Sequence, residues 1–572
     1  MRTAYLCSII AALGSTMCGG DPGAVVDGGG DATVASDIPT APDGDTAGPS
    51  DEVHAPELNA SPTTTGTEFW VGFMENLSLA SNGPPTFAFF VSAEEHTIGH
   101  VEVPQTGYSQ AFEVGAGEVV KVTMPAGILY PQIDELPSKL GVHITADLPV
   151  SVVAVHYRIY FSEASRVLPV GELGDEYVAV TAVDIQHQSP SSLVVVATED
   201  DTTIEVTPST VTTGFLPTGV TQRFELERGQ TIQFQAGDDL SGTRVHALGG
   251  KRIAVFAGAR QAHIACVGAD SHLWDQMIPT ARWGTRYVVM PLAGSGATPV
   301  KVVADRFKTS VDISCQGSAL INPGRGQTLS IAKASVLASN QPIGVAVLTK
   351  SEACMTAGTG DPNLLVVPPL GLVSRSVAWT AFDDFETLVA ARHWVTILTA
   401  ASSQGDLRLD GMPVPGLAPL EGVPELVWAA VEVPAGTHRI DGGPTFQAMM
   451  HGLGMYEAYT FGAGWGCDPA SGDGNVKAGS CAGLGTPAVP EGCDPGDLRL
   501  SSGTPVDPGD PGGKPTCENA CQCYGADPHP AIECSGDERP IWTCDHDCKP
   551  ACGSPCMACA ERFPRDAEGR CL

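Results

Sequence analysis

The chain has 572 residues, 43% of them hydrophobic but only 17% charged, with 66 glycines and 45 prolines. That length allows several domains, and turn-formers mixed with Val and Thr suit short strands joined by tight turns. A formal net charge of −34 argues against a nucleic-acid surface, which needs clustered Lys and Arg, and against electrostatic docking on anionic lipid.

Met1 to Met17 reads as an export signal: one Arg, then a short apolar run. The run is too short for a permanent span, which needs about 20 residues, and no other stretch is apolar enough to cross. Cys18-Gly19-Gly20-Asp21 resembles a bacterial lipoprotein signal, in which Cys18 is acylated and becomes the new N-terminus, although Ser15 and Met17 depart from the usual lipobox residues. Residues 18–65 are Gly, Asp, Pro, Ala, Ser and Thr with almost no aromatics. Such a segment cannot offset its ordering entropy and reads as an acidic disordered tether. The expected location is the outer membrane or cell surface, or otherwise the extracellular space, with membrane contact only through the N-terminal lipid.

The body repeats itself. Opening strands GTEFWVGF, GDEYVAVT, GTRYVVMP and SRSVAWTA start at Gly66, Gly174, Gly284 and Ser374, spaced 108, 110 and 90 residues apart. In each copy an apolar strand, a polar turn and an alternating strand follow, as in LVVVATEDDTTIEVTP from Leu193. Period-2 alternation implies one buried and one wet face. A further strand and a short apolar strand come next, the latter beginning at Pro149, Arg252, Pro342 and Pro444, and a Pro-containing linker leads onward at Pro169, Pro279 and Pro368. The prediction is an all-β body of four imperfect repeats of about 100 residues, at 66–173, 174–283, 284–373 and 374–464. Packed β-sandwich-like units are favoured. The alternative is a closed four-bladed, propeller-like ring, which predicts that strands near Tyr456 to Phe461 pair with those near Phe69.

The segments GTEFWVGFMENL, VLPVGELGDEYVAVTA, SHLWDQMIPTARWGTRYVVMPL and ATEDDTTIEVTP resemble the IgGFc-binding protein N-terminal domain family, over about Gly66 to Gly464. In animals, domains of this family sit in mucus-associated proteins. The resemblance implies an extracellular recognition or adhesion role, with a protein or glycan partner; it transfers no binding residues. Unlike the animal proteins, this chain carries no von Willebrand-type modules and opens on the lipoprotein-like signal.

Residues 465–572 form a cysteine-rich tail with little apolar material, so cross-links must stand in for a core. Its cysteines are Cys467, Cys481, Cys493, Cys517, Cys521, Cys523, Cys534, Cys544, Cys548, Cys552, Cys556, Cys559 and Cys571; the body adds Cys266, Cys315 and Cys354. Export favours disulfides for all sixteen, over a zinc reading built on Cys556, Cys559 and His546. Both counts are odd, so one bridge joins body to tail or each part keeps a free thiol. Proximity within one copy suggests Cys315 with Cys354, leaving Cys266 for the tail.

No nucleophile elbow, HExxH, P-loop, dinucleotide fingerprint or EF-hand is present, so the chain reads as a non-enzyme without cofactor or metal. His156 and His263 follow apolar strands at comparable places and read as structural. Trp70, Trp274, Trp283 and Trp394 read as core. The turn Glu199-Asp200-Asp201 reads as a solvated hairpin rather than a calcium site. The expected function is a surface-displayed binding or adhesion protein. A structural envelope spacer is the alternative, and a hydrolase assembled from scattered residues the third reading.

Overall fold

The computed structural model describes residues 62–76, 83–125, 127, 129–314, 317–383, 391–466 and 499–500. The export signal, Cys18, the tether as far as residue 61, Cys315 and the thirteen cysteines from Cys467 to Cys571 lie outside the described residues. Among the described residues the fold is all-β, and every helix is a three-residue 3-10 turn. None is long and apolar enough to cross a membrane.

One strand order recurs in four antiparallel sheets. From outer edge to inner edge the first runs Val119–Thr123, Thr86–Ala93, Val142–Arg158, Phe161–Val167. The second runs Thr231–Ala236, Ser191–Ala197, Ile253–Ala262, Ser271–Gln276. The third runs Gly326–Ile331, Thr298–Ala304, Ser335–Leu348, Leu364–Val366, and the fourth Val423–Val433, Arg392–Ala400, Phe446–Gly454, Glu457–Gly462. Each has a smaller second layer. Beside the second sheet this layer is Gln222–Leu226, Thr202–Thr207, Arg244–Ala247, Glu176–Val178. In the first and third sheets the long strands Val142–Arg158 and Ser335–Leu348 serve both layers. In the second and fourth the crossing is broken by glycines in the left-handed region, Gly249 and Gly250 at φ 75° and 66°, Gly442 and Gly443 at 117° and 94°.

The repeated opening glycine has a steric cause. A Cβ at Gly66, Gly174 or Gly284 would lie 2.4, 2.8 or 2.5 Å from the Cβ of Pro169, Pro279 or Pro369. In these three units the opening glycine and the proline at the exit are therefore one contact.

The central strands of the four sheets are buried on both faces because both are covered, whereas the outer-edge strands Val119–Thr123, Gly326–Ile331 and Val423–Val433 keep exposed or half-buried residues. In Ser191–Ala197, Leu193, Val195 and Ala197 face the second sheet's own core, whereas Val194 and Val196 join the core of the first. Val303, Ala346 and Leu348 of the third sheet complete the second core, and Leu398 and Met449 of the fourth complete the third. Phe90, Val153, Val155 and Ala164 of the first sheet then pack with Val395, Ile397, Tyr459 and Phe461 of the fourth. Each unit is sandwich-like, yet no unit has a core of its own, and the fourth core returns to the first.

The arrangement is thus the ring alternative, with a correction to how it closes. Glu457–Gly462 pairs with Phe446–Gly454 and lies against Phe161–Val167 rather than pairing with Gly66–Val71. Thr64 makes the clasp: its N–H donates to the Trp465 carbonyl at 2.6 Å, and its hydroxyl accepts from the Trp465 N–H at 3.1 Å. The four inner strands lie against one another in turn around the axis.

Candidate functional site, the axial face

The four inner strands begin at one end of the ring, so the connections leading into them share a face. Two are short turns, with Tyr160 and Tyr456 at φ 68° and 55°. The other two are longer, spanning 263–270 and 349–363. The long pair is bound together by the Cys266–Cys354 disulfide, Cα atoms 6.2 Å apart. This corrects the expected Cys315–Cys354 pairing: the ring brings loops of two neighbouring sheets closer than sequence proximity suggests. Ile264 N–H also donates to Ser351 Oγ at 3.2 Å, and Ser351 N–H to the Ile264 carbonyl at 3.1 Å. Gly360 N–H reaches the Gly454 carbonyl at 2.8 Å, and Asn363 Nδ2 the Ser162 carbonyl at 3.2 Å. The two long connections are therefore tied to each other, and 349–363 is tied to the strands that flank the two short turns. The four connections leave Tyr160, Val267, Met455 and Tyr456 exposed at 45%, 60%, 68% and 49%.

Under this face the inner strands and the 349–363 connection bury acids. Glu163, Asp361 and Glu457 are buried without a cation to pair with among the described residues. Burial pushes the Glu457 carboxyl up to about 8. It holds Glu163 well above the usual range, with Asp275 and Asp361 adding repulsion. Asp361 is raised in the same way, first by burial and then by Asp270. Asp275 accepts from Ser165 Oγ at 2.6 Å and from Val366 N–H at 2.7 Å, and burial still lifts it to about 7. His156 and His272, ring centroids 4.8 Å apart, are kept neutral by burial, His272 falling to about 4. The axis is a largely uncharged plug that supports the face.

The residues singled out from sequence divide accordingly. His156 is packed among Phe73, Phe87 and Tyr130. His263 bonds Asp184 through Nδ1 at 2.8 Å. The other buried histidines bond to Glu68, Asp410, Tyr459 or backbone carbonyls, none to a serine hydroxyl. Trp70, Trp274 and Trp394 are core, with Trp274 stacked between Phe73 and Phe256 at 5.1 and 5.0 Å. Trp283 is partly buried and donates to the Ile278 carbonyl at 3.1 Å. In the acidic turn, Glu199 and Asp200 accept from the Arg252 and Arg228 N–H groups at 3.3 and 3.2 Å. No cluster of three or more His, Cys, Asp or Glu able to hold a metal occurs among the described residues. The axial acids and the two turn tyrosines were not singled out, although a charge inside each otherwise apolar closing segment (FSEASRV, SHLWDQ, DPNLLV, EAYTFG) is a signal that sequence offers.

Residues 163–452 match the family model described as IgGFc binding protein. A human protein named IgGFc-binding protein is 25% identical over 383 residues, which is 65% of this chain and 7% of the human one. The chain therefore spans a small fraction of that relative's length. With the model covering half of its residues, the chain belongs to the IgGFc-binding protein family.

Proposed function

We propose that this is an exported, non-enzymatic binding protein whose axial face engages an extracellular protein, with Cys18 as lipid anchor and residues 18–65 as the tether that holds the ring off the membrane. The observation that carries the reading is the convergence of four connections on one braced face that displays Tyr160, Met455 and Tyr456. Aromatic and Met side chains are the types enriched where proteins recognise proteins, and recognition commonly resides in loops held by a rigid scaffold. Family membership supports a binding role, and the human relative's name makes the Fc region of IgG the first partner to test.

The test is binding of the full exported chain, immobilised, to Fc and to extracellular proteins of neighbouring cells. It is repeated with a Tyr160→Ser, Met455→Ser, Tyr456→Ser variant. Saturable binding weakened at least tenfold by the variant supports the reading. Binding untouched by the variant moves the site off the axial face, and no partner from any source favours the envelope spacer.

A further inference from the structure

The outer edge of a sheet presents unpaired N–H and C=O groups that natural proteins cover. In the second sheet the cover comes from the first repeat: the Glu135 and Ser138 N–H groups donate to the Gln233 and Thr231 carbonyls at 2.8 and 2.7 Å. In the fourth it is Ala418–Leu420, paired with Val423–Val433. The third sheet takes its cover from the cysteine-rich tail. Arg499–Leu500 pairs antiparallel with Gly326–Ile331, Leu500 opposite Leu329 and Arg499 opposite Ser330.

The sequence on either side fits an added strand. Residues 497–502 read DLRLSS, between Pro495-Gly496 and Gly503-Thr504-Pro505, and Pro and Gly at both ends bound a short strand. The alternation Leu498, Arg499, Leu500 runs in step with Ile331, Ser330 and Leu329, of which the two apolar residues are buried in the third core and Ser330 is half-buried. Charge favours the same contact. Residues 284–373 hold seven Lys and Arg against four Asp and Glu, the one repeat with an excess of cations, whereas residues 465–572 hold eight against seventeen.

The direction of pairing also selects a cysteine. The Cys266–Cys354 bridge leaves Cys315 as the remaining cysteine of the body, against thirteen in the tail. Ser314, next to it in sequence, exchanges hydrogen bonds with Val336: its N–H donates to the Val336 carbonyl at 2.9 Å, and the Val336 N–H donates to its Oγ at 2.8 Å. Val336 lies five residues beyond Ile331, and the antiparallel register turns the N-terminal side of Arg499 toward Ile331. Cys493 is six residues back on that side, within roughly 20 Å of extended chain. Cys481 is eighteen residues back, and Cys517 lies beyond the opposite end of the strand.

We propose that Gly326–Ile331 is a strand-acceptor edge whose occupant is the chain's own segment 497–502, and that a Cys315–Cys493 disulfide locks it there. Main-chain hydrogen bonds supply the affinity for an added strand, and its alternate side chains supply the specificity. The bridge forms as the two thiols pass two electrons and two protons to the disulfide of a thiol oxidoreductase, which is left as a dithiol. Docked in this way, the cysteine-rich tail is fixed to the third repeat.

Two measurements on the oxidised full chain test this. Cleavage after Lys, Arg and Glu under non-reducing conditions leaves Cys315 alone in 309–325 and Cys493 alone in 492–499, and mass spectrometry is expected to find these two peptides joined. Amide exchange reads the strand itself. Proline has no N–H to give to a ladder, and an Arg499→Pro, Leu500→Pro variant removes a ladder donor in either phase of the pairing. In that variant the amides of Gly326–Ile331 should exchange at least tenfold faster, while those of Thr231–Ala236 stay as slow as before. A Cys315 that is free or bonded to another cysteine, or an edge equally protected in both proteins, would overturn the proposal.

Discussion

Tyr177 and Tyr287 occupy equivalent places in successive units, four residues into the repeated motif. The buried Tyr177 hydroxyl accepts from the Gly174 N–H at 3.0 Å and donates to the Ile253 carbonyl at 2.8 Å. Tyr287 does the same for Gly284 and Ile343. In the first unit the position is Phe69, which can do neither. Tyr177→Phe strands a buried donor and acceptor, so a loss of about 1–3 kcal/mol is expected, read as a lower denaturation midpoint with an unchanged slope. The axial acids set the pH response. Glu457 and Asp275 titrate near 8 and 7 in the fold, against roughly 4 in an unfolded chain. The native state therefore holds more protons across that window, and stability falls as pH rises through it. Buried His156 and His272 act oppositely below about 6.5, so the fall is clearest above that pH. Glu457→Gln should flatten the drop in Tm between pH 6.5 and 9; a wild-type Tm that rises over this range would contradict the assignment. Sequence shows an acid inside each closing segment but not its environment, because an acid in a six-residue strand reveals its surroundings only once the strand's neighbours are known.

Strands and their order were largely legible, since each unit repeats an apolar strand, a turn and an alternating strand. Thr202–Thr207 shows the alternation directly, with Thr202, Ile204 and Val206 buried and the residues between them half-buried. Ser191–Ala197, fully buried, reads in sequence only as an apolar run, which does not reveal what covers its second face. The cysteine pairing misled for a related reason: Cys266 and Cys354 are 88 residues apart in different units, and only the ring makes their loops adjacent. Removing this bridge by Cys266→Ser with Cys354→Ser should cost roughly 3–5 kcal/mol and speed amide exchange in 263–270 and 349–363. The pairing also leaves Cys315 with the thirteen cysteines from Cys467 to Cys571, an even set. Peptide mapping of the oxidised chain is expected to link Cys315 to one of those thirteen; a free Cys315 thiol would contradict this.

Closure governs the molecule as a whole, because no sheet has a core that it does not share and the axial face exists only when four connections meet. The clasp joins residues 401 apart through hydrogen bonds between Thr64 and Trp465. No repeat pattern announces such a contact, which is why sandwiches and ring looked alike from sequence. Cooperative units reveal themselves by opening together, so amide exchange of the full chain compared with a Trp465→Ala variant tests closure most directly. The slowest amides of all four sheets are predicted to share one opening free energy, and the variant to lower it in all four by a similar amount. Separate opening energies for each sheet, with the variant affecting the fourth alone, would show four beads on a string and would remove the basis for the axial face.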